Sequence, residues 1–433
     1  MKKYNWLKNI SDEKALEISN KFWDHLSKHA YPLSRGTMRI PISIEPYALQ
    51  EKHYHHLQSQ VELLISAAKK LAEEFYNDKE LESVFAIDEH ERDLIHQSKN
   101  DPLVGIVRVD LFYGNEPKVV EINADFPDGF FMHDVTSTAI KNMPHSEELY
   151  HASNTDLFVE LLESEGILPH HHIFIGYNGE RQFLDEFALT KLKLNAAGWN
   201  NISVGAFEDL DYKNGIFMFE GKMIDVIRRG AELSKLRELP QLLSQLTEAK
   251  KISGLKIINN FKMRLLGHKS LLAALHDKRF AKYLTEQELG AISMLVPTTR
   301  KLEIEDIGVI SNQKDRWVLK PSDLAEGSGV SIGSSLTERE WSDALASAAV
   351  HPHKWILQEK INIPQDTFTL ISDDAPLLTE MRAYYDLDPH VVLFKDKSKF
   401  GNMLVRFSSS EILNVMKGGG LTYAFYTKEP SDT

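Results

Sequence analysis

Four polar residues on two short β-rich runs carry the clearest chemical signal in the sequence. Arg108 and Asp110 alternate with valine in Val107-Arg108-Val109-Asp110-Leu111. Glu121 and Asn123 flank Ile122 at the end of Lys118-Val119-Val120-Glu121-Ile122-Asn123. Gly114-Asn115-Glu116-Pro117 lies between the runs, so the pair predicts a β-hairpin. Side chains alternate along a strand, which puts all four polar groups on one face and Val107, Val109, Val120 and Ile122 on the other. Asp, Glu and Asn oxygens converging on one spot suit a hard cation such as Mg²⁺, which stays bound to substrate phosphates. On this stretch alone, an exposed hairpin with a surface salt bridge is the alternative.

A second group lies some two hundred positions on, by the numbering of the chain. Lys320 ends the apolar run Arg316-Trp317-Val318-Leu319-Lys320 just before a polar loop containing Gly327-Ser328-Gly329. A lysine in that position can place a point charge on phosphate oxygens while the loop's N–H groups cover them. The loop runs into Val330-Ser331-Ile332-Gly333, a strand, and lacks the Gly-Lys-Ser/Thr of a P-loop, so a plain hairpin connection stays open. Gln358-Glu359-Lys360 follows another apolar strand and resembles a hinge whose backbone reads an adenine edge. Arg382 suits a γ-phosphate or a developing oxyanion, or else a structural salt bridge.

The elements that must position these groups follow from periodicity. Ile18, Phe22 and Leu26 predict a helix over 11–29, and Leu57, Val61, Leu64, Ala68, Leu71 and Phe75 a longer one between Pro46 and Tyr76. His53, His55 and His56 fall on the polar face of that helix. Residues 171–230 alternate strands with a helix at 181–196 and predict a small α/β layer. Helices are expected at Lys269–His276, 278–290 and 337–348, and a turn at Gly418-Gly419-Gly420.

Bulk properties narrow the classes. A 433-residue chain needs more than one core. Its 50 basic and 63 acidic side chains, a net −13, argue against a nucleic-acid partner. The absence of cysteine excludes disulfides, thiolate-bound zinc and thiol catalysis. No secretory signal or membrane-length apolar run is visible, so a cytoplasmic location is expected, with homo-oligomerisation left open. Together the lysine, glycine loop, hinge, arginine and oxygen cluster supply the parts of a Mg-ATP site that works by positioning and charge neutralisation.

These motifs resemble the circularly permuted ATP-grasp ligases typified by glutathionylspermidine synthetase, in the synthetase domain. The resemblance rests on Arg108-Val109-Asp110 followed by Glu121-Ile122-Asn123-Ala124-Asp125-Phe126-Pro127, and extends to Lys262, Lys320-Pro321, the glycine loop and Gln358-Glu359. It implies an α+β fold: an ATP-grasp core with a nucleotide lid, a small α/β pre-ATP-grasp domain and an N-terminal helical segment. The expected division is a helical region at 1–100, the metal-binding hairpin at 101–150, the pre-ATP-grasp domain at 151–255, the lid at 256–365 and the rest of the core at 366–433. By the same resemblance Asp110, Glu121 and Asn123 would hold Mg²⁺, Lys262 and Lys320 the α/β phosphates of ATP, and Arg108 and Arg382 the transferring phosphoryl group. The implied activity joins a carboxylate substrate to an amine acceptor through an acyl-phosphate. The alternatives are a kinase that stops at phosphoryl transfer and a non-catalytic nucleotide-binding module. Phe126, Phe130 and Phe131 stand where that group often carries small or hydroxyl residues, so its substrates are not carried over.

Overall fold

The computed structural model describes residues 1–433 apart from 9, 29–33, 36–37, 142, 144–145, 179–183, 325–326, 372–377, 416–418 and 429–433. Phe183 and Gly418 therefore lie outside the described residues.

The predicted hairpin forms the edge of a nine-stranded sheet. Strand Gly105–Tyr113 pairs antiparallel with Pro117–Asn123, placing Arg108 opposite Asn123 and Asp110 opposite Glu121. The four polar residues thus share one face. Proline can begin an edge strand because its missing N–H costs no ladder bond. Inward from the hairpin come Asp388–Leu393, Ser398–Ser408, Gly420–Thr427, Tyr47–Gln50 and Lys2–Lys3, and the hairpin Gln365–Ile371/Leu378–Tyr385 joins through Ser398–Ser408. Residues 1–100 accordingly supply the last two strands at the far side of this sheet as well as helices.

One detail of the hairpin differs from simple alternation. The register shifts between Asp110 and Leu111, which pairs with Val119 and leaves Val120 as an extra residue. A bulge of this kind moves one side chain to the other face. Val119, not Val120, therefore joins Val107, Val109 and Ile122 in the core, and Val120 faces a cavity.

The apolar back of the sheet is covered by helix Glu51–Glu74, whose Leu57, Val61, Leu64, Ala68 and Leu71 pack in the same core cluster. At 24 residues the helix is about 36 Å long. His53, His55 and His56 are on its exposed side.

Two further layers flank the polar face. Four antiparallel strands, Thr299–Lys301, Trp355–Glu359, Trp317–Pro321 and Ser331–Ile332, form one sheet backed by Trp341 and Leu345 of helix Glu338–Ala349. Ser270–His276 forms a helix, but 278–290 does not form one continuous helix. A 3₁₀ turn at Lys278–Tyr283 ends before Thr285, whose capping box with Glu288 starts a new helix, Glu286–Leu295. In the other layer, Lys256–Ile258, Val226–Arg229, Ile173–Tyr177 and Ile202–Ala206 are parallel neighbours. Parallel pairing requires crossovers, supplied by helices Leu184–Ala196 and Pro240–Ile252.

Candidate functional site

A cavity of about 590 Å³ opens between the polar face of the hairpin, the antiparallel sheet and the start of the parallel layer. Its floor is an ion cluster. Arg108 Nε donates to Asp110 Oδ1 at 2.8 Å, and its Nη1 pairs with Asp128. Arg406 Nη2 reaches Asp110 Oδ2 at 2.7 Å and Asp386 Oδ2 at 2.6 Å, while Arg406 Nε is 2.6 Å from Asp388 Oδ2. Burial opposes the charge on Asp110, yet the flanking Arg108 and Arg406 hold its carboxyl well below the usual range. Burial pushes Asp388 well up instead, with Arg406 opposing it.

The roof is organised around lysines. Lys269 Nζ lies 2.6 Å from Glu121 Oε1 and donates to Leu324 O at 2.6 Å, tying the hairpin to the loop after Pro321. Lys320 Nζ donates to Gln358 Oε1 at 2.6 Å and to Val120 O at 3.3 Å, the carbonyl exposed at the bulge. Among the described residues no carboxylate is within ion-pair distance of Lys320. Burial, with Glu121 opposing it and Lys269 assisting, lowers its ammonium to about 8. Asn123 lines the cavity, and its Nδ2 is buried with no hydrogen-bond partner among the described residues.

The hinge strand contributes in three ways. Gln358 is fixed by Thr299, to whose Oγ1 its Nε2 donates at 3.1 Å, and so presents its oxygen to Lys320. Glu359 is 3.4 Å from Arg316, and Lys360 donates to Ser334 Oγ at 2.6 Å. Val318, Val330, Ile332, Ile361, Ile363 and Leu413 make the adjoining wall apolar. Gly327 and Ser328 line the cavity as well. Gly327 has φ +71°, and a Cβ there would come within 2.5 Å of Ile412, so glycine is required for two reasons.

Three of the predicted residues are elsewhere. Lys262 is buried against Glu73, with Lys99 O at 3.2 Å and Asp101 O at 3.3 Å, and does not reach the cavity. Arg382 is exposed on the outlying hairpin, donating to Gln365 Oε1 at 3.1 Å. Gly329, at φ +73°, serves the turn against Pro321 and is not part of the wall. Lys269 and Arg406 line the cavity, where Lys262 and Arg382 do not. Arg406 had a signal: it interrupts Met403-Leu404-Val405 and Phe407, an apolar run in which a charge must find a buried partner. Glu186 was also missed. It lines the cavity, fully buried, with Oε2 unpartnered among the described residues. Burial, against the pull of Arg228, pushes its carboxyl up to about 7.

Arg228 and Arg229 stand behind this end of the cavity. Arg229 donates to Asn259 O at 2.9 Å, Ala231 O at 2.8 Å and Asp125 O at 3.0 Å, and its Nη2 also pairs with the Asp125 carboxylate. It therefore fixes the turn at Asp125, where Leu233 N donates to Asp125 Oδ2 at 2.8 Å.

The same arrangement of layers is found in a solved structure, a glutathione synthetase-like effector from Globodera pallida in its apo form. The two align with a TM-score of 0.67 at 12% identity, over 97% of this chain and 98% of that one. The chain has an ATP-grasp fold. Looser likenesses are to a putative gamma-glutamylcysteine synthetase from Methylobacillus flagellatus KT (TM-score 0.40, 14% identity, 82% of this chain and 85% of that) and a RimK domain ATP-grasp protein from Sphaerobacter thermophilus (TM-score 0.26, 15%, 54% and 90%). The first alignment is the one that sets the fold. No protein-family model and no curated protein sequence matches the chain. No helix among the described residues is long and apolar enough to cross a membrane.

Proposed function

We propose that the protein is an ATP-dependent carboxylate–amine ligase that forms an amide through an acyl-phosphate. The observation that carries this reading is one cavity lined by both an oxygen-rich hairpin and a half-buried lysine with no carboxylate partner among the described residues. A buried ammonium is costly unless something neutralises it, and phosphate oxygens would do so.

The donor set suits a hard cation: Asp110 and Glu121 are carboxylates on adjacent strands, and Asn123, whose Nδ2 has no partner to hold it among the described residues, can turn its amide oxygen to the same wall. Bound there, Mg²⁺ would offset charge on the β- and γ-phosphates during transfer. The chain's own groups have separate tasks. Lys320 and Lys269 would hold phosphate oxygens, Gln358 would keep Lys320 aimed, and Gln358-Glu359-Lys360 would read the base edge beside the apolar wall. Arg108 and Arg406 would face the oxygens of the phosphoryl group as it moves. The loop at Gly327-Ser328 would cover the phosphates and keep water from the acyl-phosphate. In this order the cation-binding hairpin precedes the nucleotide lid along the chain, as in the permuted ATP-grasp enzymes.

One observation favours a second reading. Both oxygens of Asp110 are already held by guanidinium groups. A nucleotide-binding module in which Arg406 permanently replaces cation binding at Asp110 would look the same. The two separate by isotope transfer. With pooled carboxylates labelled in oxygen-18, ATP and amines, a ligase releases phosphate carrying one labelled oxygen. Unlabelled phosphate, or none, contradicts the acyl-phosphate route, and a stable phospho-product points to a kinase.

A further inference from the structure

Helix Met132–Ile140 starts just after the aromatic turn, and its second residue, His133, is buried completely. The His133 ring packs edge-on against Tyr423, with centroids 5.1 Å apart, and lies 5.0 Å from the ring of His151. His133 Nε2 faces the carbonyl of Ala424 at 3.4 Å. That contact places the ring proton on Nε2 and leaves Nδ1 with a bare lone pair. Nδ1 is buried and has no hydrogen-bond partner among the described residues. His151 repeats the pattern with the nitrogens exchanged: Nδ1 is 2.7 Å from Ala152 O, so its lone pair is on Nε2. Asp134 adds a carboxylate, and one ligand atom from each of the three residues lies within 4.8 Å of the others.

A ring nitrogen bonded to a backbone carbonyl fixes both the tautomer and the orientation of an imidazole, and this is how metal-ligating histidines are held. Asp134 is held just as firmly. Its Oδ1 accepts from Asn154 N at 3.1 Å and Asn402 Nδ2 at 3.2 Å, and its Oδ2 from Thr155 N and Oγ1, both at 2.6 Å. These four bonds fill the carboxylate, so the ion takes the lone pair on Oδ2 now held by the Thr155 hydroxyl, a donor that can rotate away. Ligating carboxylates are commonly anchored by such outer bonds.

We propose that His133, Asp134 and His151 bind one divalent transition-metal ion of the zinc class, with water completing the set. Two imidazole nitrogens and one carboxylate suit zinc and its neighbours, whereas magnesium and calcium demand oxygen ligands. The ion ties three elements together: helix Met132–Ile140, the segment at Tyr150–His151, and strand Gly420–Thr427, to whose Ala424 carbonyl His133 is bonded. Met132, next to His133, lines the cavity, so the ion braces one of its walls. This assignment is independent of the ligase reading.

The test is titration of chelator-stripped protein with Co²⁺ in excess Mg²⁺, which keeps the oxygen-rich hairpin occupied. One Co²⁺ per chain is expected, with the visible absorption of a four-coordinate ion, displaced by Zn²⁺. Zn²⁺ should also raise the thermal midpoint. In folded His151→Gln the absorption falls to baseline. Absorption unchanged in that variant, or no Co²⁺ uptake by the wild type, overturns the proposal. Should His151→Gln fail to fold, the ring-nitrogen resonances of wild-type histidines decide: two imidazoles shift on adding Zn²⁺, and the absence of any shift overturns it.

Discussion

The floor of the cavity and Lys320 on its roof treat charge in opposite ways. On the floor Arg108 and Arg406 are surrounded by Asp110, Asp128, Asp386 and Asp388, and each guanidinium finds carboxylates. On the roof Lys320 has only a carbonyl and an amide oxygen. A paired buried charge mainly preserves the structure around it, since removing one partner strands the other. A buried charge held only by neutral dipoles lowers the stability of the free protein and recovers that cost when an anion arrives. The difference separates charges already matched in the free protein from one whose match arrives with substrate.

Substitutions on the two sides should therefore diverge. The largest effect is expected at the edge hairpin, where Glu121→Gln or Asn123→Ala abolishes ATP turnover while circular dichroism and the thermal midpoint report an intact fold. Full activity in either variant would remove the cation assignment. Lys320→Met on the roof should lower kcat/KM for ATP by about 10²–10³ with the thermal midpoint unchanged or raised. On the floor, Arg406→Met should destabilise the chain by about 3–5 kcal/mol in urea unfolding, because Asp110 and Asp386 lose their shared partner. A destabilised Lys320→Met beside an unaffected Arg406→Met would reverse the comparison.

Smaller effects sharpen it. The Lys320 ammonium is lowered to about 8, so its charge is present below that pH and is lost above it. kcat/KM for ATP, which reports the free enzyme, should fall as pH rises through about 8, and Lys320→Met should remove that limb. Linkage has the opposite sign. The depressed lysine binds fewer protons folded than unfolded between about 8 and its ordinary value, so stability rises with pH across that window relative to Lys320→Met. Least affected is Arg382→Ala, expected to leave turnover unchanged and stability within about 0.5 kcal/mol, since that side chain is exposed.

What could be seen in advance was local. The period of two and the Gly-Asn-Glu-Pro turn were enough to place Arg108, Asp110, Glu121 and Asn123 on one face, because strand geometry alone determines it. The bulge at Val120 left no mark, since one unpaired residue does not disturb a valine pattern. Lys262 and Lys269 both precede helical segments and look alike in sequence. Their difference is tertiary: Glu73 on the long helix captures the first, and Glu121 on the hairpin the second. Arg406 meets Asp110 across 296 positions, a pairing that strand order creates and that no local window contains.

The most direct test of the central claim is phosphate release from Mg·ATP by the full chain, across pooled carboxylates with and without pooled amines. The account predicts release that requires an acid and an amine together, with an amide and ADP formed in equal amounts. ATP binding with no release in any pool, or release that yields a phosphorylated acid and no amide, would contradict it.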